Sequence, residues 1–439
     1  MKQPNLKLLF YCCPEVAIMR IAIFAFITAL SAFLLGAVAQ TQATCPEPAH
    51  RQTDSVFVVR QHIHAAMPGL LERYQVPGAA VVLVQDGEPN WSHGYGLAIP
   101  DRQIPVDPAT TLFQAASVSK PVTALTVLTL VRQGRVALDQ AILPQLQGNT
   151  GSWRLPASSY SRDAVTLARV LSHTAGLSVP GYGGFPPGTP AQSLLDSLHG
   201  AADAGNTPLK VVQPPGQGFR YSGGGYSLLQ LLIREWADEP FATAAAHRIL
   251  EPLAMTNSRF PTLPSASPPL AATFNDQGQR APARHFTALA AAGLQTTATD
   301  LARLLTLLMP GHRGEVPGRG VLQPALIDRL LTPMPHSDND LVLSGSRYGL
   351  GMALYELDSG RRLAYHPGDN LPNWHNLIAA IPERRVGLVV MTNAAGGRAL
   401  RKDLLCLWLD ALNEAHPEGR IGGGCASVER IPMQVIGET

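Results

Sequence analysis

The chain has 439 residues, of which 46% are hydrophobic and 15% are charged, so it can bury a substantial core and is not expected to be disordered. Its 34 Lys and Arg residues nearly balance its 32 Asp and Glu residues, and the formal charge of +2 excludes the broad basic surface that nucleic-acid binding usually requires. The 40 glycines and 37 prolines follow no short period, which excludes collagen-like and low-complexity sequences. The composition therefore predicts a loop-rich globular protein of one large domain or two coupled domains, without a nucleic-acid partner.

The first segment of the chain has the pattern of an export signal. An apolar run over 21–39 follows Met19 and Arg20 and ends in Ala-Val-Ala, the small-residue pattern after which signal peptidase cuts. We predict a signal peptide over 1–39, with Met19 as an alternative start, and a mature domain over 40–439 that is secreted across the inner membrane into the periplasm. Left uncleaved, an apolar run of this length would anchor the protein, and only in that case do we expect a membrane contact.

Cleavage after this segment would leave a formally neutral chain with three cysteines, Cys45, Cys406 and Cys425. In an oxidising compartment they form at most one disulfide within the chain, and the sequence leaves all three pairings open. The cysteines lack metal-ligand spacing, and His62 and His64 point to different faces of a predicted helix. The sequence therefore predicts no metal site.

The predicted secondary structure changes twice along the chain. Two short apolar or alternating runs over 76–98, separated by an Asp-Gly turn, predict a β-hairpin. Helical periods dominate over about 117–285, and strand patterns return late, before a final helix over 398–415. This order predicts an α+β fold, an α/β sandwich in which N- and C-terminal segments form one antiparallel sheet flanked by helices, with a mostly helical inserted region. A cleft between the two parts is the expected site.

The sequence SVSK over 117–120 is the first candidate for catalytic chemistry. Ser117 precedes a long apolar-periodic stretch, so it lies at or near a helix start, with Lys120 one turn on and on the same face. A serine hydroxyl is a poor nucleophile until a base takes its proton, and a lysine amine acts as that base only when burial or another cation lowers its pKa. Lysine is scarce in the mature chain, and Lys120 follows an apolar run, which favours a functional role over a surface one.

Two further segments carry candidate residues. Tyr221 precedes three consecutive glycines, 223–225, which allow close backbone approach, so its phenol can point into a cleft and pass a proton near a lysine. His366 lies in an HPGD sequence, where it would offer a hydrogen bond or positive charge to a substrate carboxylate. Gly368 would let the backbone N–H of Asp369 face a developing oxyanion. A core tyrosine and a loop histidine without catalytic roles are the alternatives.

Together the three segments resemble the serine β-lactamase and penicillin-binding-protein superfamily, in particular its class C-like branch, which includes D-alanyl-D-alanine carboxypeptidases and esterases. The resemblance spans nearly the whole mature chain, because LSHTAGL at 171–177, AAGLQTTATDLARLL at 291–305 and YGLGM at 348–352 accompany the motifs in the same order. It implies a β-lactamase/transpeptidase-like fold and chemistry that needs no cofactor.

The resemblance also implies a role for each catalytic candidate. Ser117 would be the acylated nucleophile, Lys120 the first general base, and Tyr221 the proton relay to the leaving group. Backbone N–H groups of Ser117 and Asp369 would form the oxyanion hole. Whether Lys120 or Tyr221 is the base stays open, because a coupled pair titrates as a unit.

The departures from the family pattern concern the substrate-binding positions His366, Gly368 and Gly223. In the family's Y-x-N motif the Asn helps to hold the substrate amide or the Lys, whereas Gly223 has no side chain. His366 stands where β-lactamases of this class usually carry Lys, a pattern also seen in peptidase-like and esterase-like relatives, and Asn373 lies near where relatives tend to have Gly. These differences put efficient β-lactam hydrolysis in question, but not serine acyl transfer.

The sequence thus predicts an exported serine hydrolase that cleaves an amide or ester bond of a small molecule or peptide through an acyl-enzyme on Ser117. A D-amino-acid or cell-wall peptidase and an esterase are alternatives to a true β-lactamase. A different kind of protein, a penicillin-recognising sensor that is acylated slowly and never turns over, is a further alternative. The oligomeric state stays open.

Other motifs in the chain do not change this prediction. The SDN triplet 337–339 and the HRG triplet 312–314 match family patterns, but both lie in predicted loops and neither is expected to function. The chain has no G-x-S-x-G sequence, which argues against an α/β-hydrolase.

Overall fold

A computed structural model describes most of the chain, in five stretches: 51–146, 153–190, 192–200, 207–262 and 270–416. The predicted signal peptide and the cysteines Cys45 and Cys425 lie outside the described residues. Cys406 is described, and it is disulfide-bonded.

The described residues contain ten α-helices and twelve β-strands. The helices are α1 (Arg51–Arg73), α2 (Ser119–Arg132), α3 (Leu167–Leu171), α4 (Leu194–His199), α5 (Gly223–Ala237), α6 (Phe241–Ala245), α7 (Leu289–Ala292), α8 (Ala298–Thr306), α9 (Pro324–Leu330) and α10 (Gly397–Ala415). The strands are β1 (Gly78–Gln85), β2 (Glu88–Ile99), β3 (Ile104–Pro105), β4 (Phe113–Gln114), β5 (Thr273–Phe274), β6 (Arg280–Ala281), β7 (Gln295–Thr296), β8 (Arg347–Tyr348), β9 (Ala353–Glu356), β10 (Arg362–Asn370), β11 (Trp374–Ile381) and β12 (Val386–Thr392).

Eight of these strands form one antiparallel sheet, in the order β3-β2-β1-β12-β11-β10-β9-β8. The N-terminal hairpin joins the C-terminal strands through β1 and β12, whose register runs from Ala79 opposite Thr392 to Val84 opposite Gly387. The predicted α+β fold is therefore confirmed, with an antiparallel sheet built from both ends of the chain and helices in between.

The predicted hairpin turn follows from the two residues between β1 and β2. Asp86 has φ 54° and Gly87 has φ 76°, so both adopt the left-handed backbone that a type I′ turn requires. Such a turn has the same twist as the paired strands, and Gln85 accordingly pairs directly with Glu88. The Asp-Gly pair thus sets the register of the hairpin.

Helices cover both faces of the central strands, which explains why β1, β11 and β12 are buried along nearly their whole length. Successive residues of β1 point to opposite faces of the sheet. Val81 belongs to an apolar cluster with Ile63 of α1 and Trp408 of α10. Val82 belongs instead to the larger cluster on the other face, which includes Leu305 of α8.

Two segments break into shorter elements than the sequence predicts. The sequence has a helical pattern over 226–250, within the predicted helical region, but α5 ends at Ala237, because Asp238 is left-handed and Pro240 cannot continue a helix, and α6 begins at Phe241. The late strand pattern begins with YGLGM at 348–352, and this segment forms the hairpin β8–β9, which turns at Gly351 with φ 94°.

Between β3 and β8 the chain forms the helices α2 to α9 and two small sheets, β4-β7 and β5-β6. None of the helices in the described stretches is both long enough and apolar enough to cross a membrane. Within the same stretches, no group of three or more His, Cys, Asp or Glu side chains is arranged to hold a metal ion.

Candidate active site

The candidate nucleophile lies in a tight turn between β4 and α2. A 3₁₀ turn, Ala116–Val118, carries Ser117, and its first residue, Ala116, has a left-handed φ of 55°. The side chain of Ser119 accepts the backbone N–H of Leu294 at 2.9 Å and donates to the carbonyl of Ala116 at 2.6 Å. These two hydrogen bonds of Ser119 hold the turn in place, while Ser117 itself stays partly exposed.

Lys120 lies in the first turn of α2 and its side chain is buried. Its Nζ donates to Ser117 Oγ at 3.1 Å and to the carbonyl of Ala291 in α7 at 2.8 Å. The rings of Tyr221 and Tyr226 flank the amine, with centroids 4.8 and 5.7 Å from Nζ. Burial lowers the pKa of Lys120 to about 7, so a large fraction of the amine is unprotonated at neutral pH.

Tyr221 reaches the same oxygen from the loop before α5. Its hydroxyl is hydrogen-bonded to Ser117, and burial raises the pKa of the phenol well above its usual value, although the Ser117 bond opposes this. The ring packs on His173 with centroids 4.2 Å apart. The Nδ1 of His173 in turn accepts the backbone N–H of Ser222 at 3.1 Å, which fixes the residue that follows the tyrosine.

His366 is fully buried on β10 beneath this group. Its Nδ1 is 2.7 Å from the carbonyl of Pro367, so Nδ1 carries the proton, and its Nε2 accepts the hydroxyl of Tyr348 at 2.8 Å. Burial, with a smaller contribution from Lys120, lowers the pKa of His366 to about 3. His366 is therefore neutral with both nitrogens occupied, and in this arrangement it offers no positive charge to a substrate.

The strand β10 passes directly beside the nucleophile turn. A methyl group placed on Gly368 would lie 2.2 Å from the carbonyl oxygen of Ala115, so only glycine permits this approach. The Asn376 amide of β11 donates to the carbonyl of Gln114 at 2.9 Å and ties the sheet to the same segment. The pairing of β9 with β10 ends at Tyr365, so β9 leaves the edge of β10 open beyond that residue.

The carboxylate of Asp369 points to the opposite face of β10, toward α10. It pairs with Arg401 at 2.9 Å, is hydrogen-bonded to His375, and lies 3.5 Å from Arg398. Burial alone would raise the pKa of Asp369, but Arg401 and His375 together hold it well below its usual range. The side chain is thus an anion engaged away from Ser117, and any contact of Asp369 with a substrate at Ser117 would come from its backbone.

Other positions singled out in the sequence lie in less direct contexts. Gly223 begins α5 and donates its N–H to the carbonyl of Pro180 at 3.0 Å. Asn373 donates to the carbonyl of Phe274 and to Asp276. Ser337 of the SDN triplet accepts the backbone N–H of Tyr348 at 3.0 Å, and His312 of the HRG triplet lies 4.0 Å from the nearest carboxylate oxygen.

Several residues at the site were not singled out by the sequence. His173 and Tyr348 lie inside the LSHTAGL and YGLGM strings, so their family context was visible but their roles were not. Tyr226 is the residue at the end of the glycine run, and it donates to the carbonyl of Leu171 at 2.7 Å. Arg401 had a signal of its own, since it is a charged residue within the apolar stripe of α10.

The arrangement matches the requirements of acyl transfer. A hydroxyl on a tight turn contacts a buried amine of lowered pKa and a protonated phenol, so a proton can leave Ser117 and be delivered to a departing group. The open edge of β10 beside the turn is a place for a developing oxyanion. These groups are all side chains or backbone of this chain.

The chain is similar to known proteins over most of its length. The Beta-lactamase family matches residues 60–411. The chain is 30% identical over 277 residues to a β-lactamase of Lysobacter lactamgenus, which covers 62% of this chain and 65% of that protein. It is 23% identical over 341 residues to Protein flp of Staphylococcus aureus strain NCTC 8325, covering 76% of this chain and 63% of that protein. This chain thus spans slightly less than two thirds of these relatives.

Solved structures show the same fold at low sequence identity. An octameric penicillin-binding protein homologue from Pyrococcus abyssi superposes with a TM-score of 0.66 at 23% identity, over 79% of this chain and 77% of that chain. The crystal structure of SurE with D-Leu gives a TM-score of 0.62 at 23% identity, over 86% of this chain and 78% of that chain.

Proposed function

The chain belongs to the Beta-lactamase family, and we propose that it is an exported serine hydrolase that cleaves an ester or amide through an acyl-enzyme on Ser117. The observation that carries the proposal is the convergence on Ser117 Oγ of the buried Lys120 amine, 3.1 Å away, and the Tyr221 hydroxyl. The proposal needs both contacts, because a protein can keep the fold of its family without the chemistry of that family.

In the proposed reaction, neutral Lys120 takes the proton of Ser117 as Oγ forms a bond to the substrate carbonyl carbon. The carbonyl π electrons move onto oxygen, and the backbone N–H groups of Ser117 and Asp369 donate to that oxyanion. Collapse of the intermediate breaks the bond to the leaving group, which takes its proton from Tyr221, while protonated Lys120 returns a proton to the phenolate. Water then loses a proton to neutral Lys120 as its oxygen bonds to the acyl carbon. The bond from that carbon to Ser117 Oγ breaks, Lys120 returns the proton to Oγ, and the acid product leaves.

The two candidate bases differ in protonation state. Burial lowers the pKa of Lys120 to about 7 but raises that of Tyr221, so at neutral pH the amine is available as a base while the phenol keeps its proton. This difference favours Lys120 as the base that activates Ser117. Tyr221 is then the donor to the leaving group, as a protonated phenol beside the reacting oxygen should be.

The protonation of His366 bears on the substrate class. A neutral, fully buried His366 that is bonded to Tyr348 and Pro367 does not attract a substrate carboxylate. We therefore propose that uncharged esters and amides are preferred as substrates over penicillins, because the carboxylate of a penicillin would find no cation at His366. A D-amino-acid peptidase is the second candidate, and it is favoured by the likeness to SurE, whose crystal structure contains D-Leu.

The test is to follow acylation and turnover with three reagents: a nitrophenyl butyrate, benzylpenicillin and D-leucine nitroanilide. Intact mass reports the covalent adduct, peptide mapping reports its position, and nitrophenol or nitroaniline release reports turnover. We expect an adduct on the peptide that contains Ser117, with many product equivalents released from the ester. Product release that stops at one equivalent would identify a sensor, and an adduct elsewhere, or none with any reagent, would overturn the proposal.

The close approach at Gly368 gives a second prediction. Gly368→Ala places a methyl group 2.2 Å from the Ala115 carbonyl, so β10 must move away from the nucleophile turn. We expect kcat/KM for the ester to fall by roughly 100-fold, since displacements of about 1 Å at a reacting centre have effects of this size. Gly69→Ala is the matched control, because a methyl group there meets nothing within 4 Å and should leave activity unchanged. Equal activity of the two variants would contradict the proposed role of β10.

A further inference from the structure

Arg401 of α10 is buried, with its side chain only 1% exposed, although it lies on a helix face that is otherwise apolar. One terminal nitrogen, Nη1, donates to the carbonyls of Gly368 on β10 and Asn376 on β11, both at 2.9 Å. The other, Nη2, pairs with the carboxylate of Asp369 at 2.9 Å. A single guanidinium therefore holds both the peptide that joins Gly368 to Asp369 and the side chain that follows it.

The direction of this peptide follows from its contacts. In the described stretches the sole cis peptide bond is Leu371–Pro372, so the bond between Gly368 and Asp369 is trans, with C=O and N–H pointing in opposite directions. The Gly368 carbonyl lies on the β11 side, because the nitrogen that binds it also reaches the Asn376 carbonyl. The Asp369 N–H therefore points away from β11, toward the edge of β10 that β9 leaves open.

We propose that Arg401 is a positioning residue that orients and polarises the oxyanion-hole peptide, acting on its carbonyl from the face of the sheet opposite to Ser117. The inference rests on the proposed function, since it presupposes an oxyanion at this edge. A cation bound to the carbonyl of a peptide draws electron density from its nitrogen and makes the N–H a stronger donor. The fixed geometry also avoids reorganisation when charge develops.

The cost of burying the charge argues against a purely structural role. A buried guanidinium must be desolvated, and replacing buried ion pairs with apolar side chains of similar size is often neutral or stabilising. The apolar neighbours of Arg401 on α10, Leu400, Leu404 and Leu405, show that an aliphatic residue would suit this face. The groups that face the guanidinium are two carbonyls and the Asp369 carboxylate, with Arg398 and His375 on the other side of that carboxylate.

The test measures the acyl carbonyl itself. The wild type is acylated with one of the three reagents named above, the one whose acyl-enzyme is hydrolysed most slowly, in a form labelled with ¹³C at the carbonyl. Isotope-edited infrared spectra then record the carbonyl band. The variant is Arg401→Met, and Lys402→Met is the matched control, because Lys402 is the adjacent, partly exposed cation of the same helix. Arg401→Lys serves as the second variant, since it keeps a cation for Asp369 but cannot hold both carbonyls and Asp369 as the fork of Arg does.

We expect the acyl carbonyl band of Arg401→Met to move to higher wavenumber, with kcat reduced roughly 10- to 100-fold and KM little changed. If Arg401→Met fails to fold by thermal melting, Arg401→Lys should show the same band movement to a smaller extent, and Lys402→Met should match the wild type. An unchanged band in the folded Arg401 variants, with a wild-type acyl-enzyme present, would overturn this inference alone. A wild type that forms no acyl-enzyme would remove the proposed function and this inference together.

Discussion

Ser117→Ala is expected to lower kcat/KM by at least ~10⁴-fold for every substrate that the wild type turns over, because no acyl-enzyme can form without the attacking oxygen. The substitution removes an oxygen from a partly exposed side chain, so the turn, which Ser119 holds through Leu294 and Ala116, should persist. The variant should also show no covalent adduct by intact mass. The measurement is initial rate at several substrate concentrations, with adduct mass recorded on the same samples.

Ser92→Ala is the matched control for this substitution. Ser92 is exposed on β2, which β1, β12 and β11 separate from β10 in the sheet, so wild-type kinetics are expected. Residual turnover by Ser117→Ala within tenfold of the wild type would place the nucleophile elsewhere.

Lys120→Met is expected to lower kcat/KM by roughly 10³- to 10⁴-fold, the range for removing a general base that also activates the nucleophile. Lys120→Arg should not restore activity, since a guanidinium stays protonated at all accessible pH values. The double variant Ser117→Ala/Lys120→Met should be no slower than Ser117→Ala alone, because the two groups act as one unit. Lys210→Met, at an exposed lysine, is the control and should retain full activity.

The pH profile checks the role of Lys120 independently. A base must be unprotonated, and burial places the pKa of Lys120 at about 7, so wild-type kcat/KM should rise with pH through about 7 and then level off. His366, with a pKa lowered to about 3, stays neutral throughout this range and should add no further step. A wild-type profile that is flat between pH 5 and 9 would contradict Lys120 as the base.

The sheet could be predicted because its strands carry strong local signals. The Asp-Gly turn defines the first hairpin, and the C-terminal strands are apolar runs bounded by turns. Elements whose form depends on distant contacts were not predictable in the same way. The two-residue strands β4 and β7 arise from tertiary packing that leaves little periodicity in so short a segment, whereas the break between α5 and α6 has a local signal in Pro240.

The contact between Ser117 and Lys120 is local, one helical turn apart, so spacing alone placed the two side chains together. Tyr221 and His366 came from short motifs, but the neutral state of His366 depends on Tyr348 and on complete burial, which no spacing reveals. Arg401 offered a visible anomaly, a charge in an apolar helical stripe, but its contacts with Gly368 lie on a strand 33 residues earlier in the chain. Chemistry that is local in sequence was therefore predictable, and the packing that tunes it was not.

The pairing of β1 with β12 also bears on how the protein is made. Ala79 lies opposite Thr392, and the Gly78 N–H donates to the side chain of Asn393, 315 residues later in the chain, so the first hairpin cannot complete its sheet until that later segment has been made. Contacts so far apart in sequence close slowly, because the entropy lost in closing the loop precedes the gain from pairing. During synthesis β1 is therefore an apolar strand without its partner β12, and the turn that carries Ser117 is not yet packed against β10. An apolar strand without its partner favours aggregation, so we expect the partly made chain to aggregate more readily than the chain in which β10 to β12 have paired.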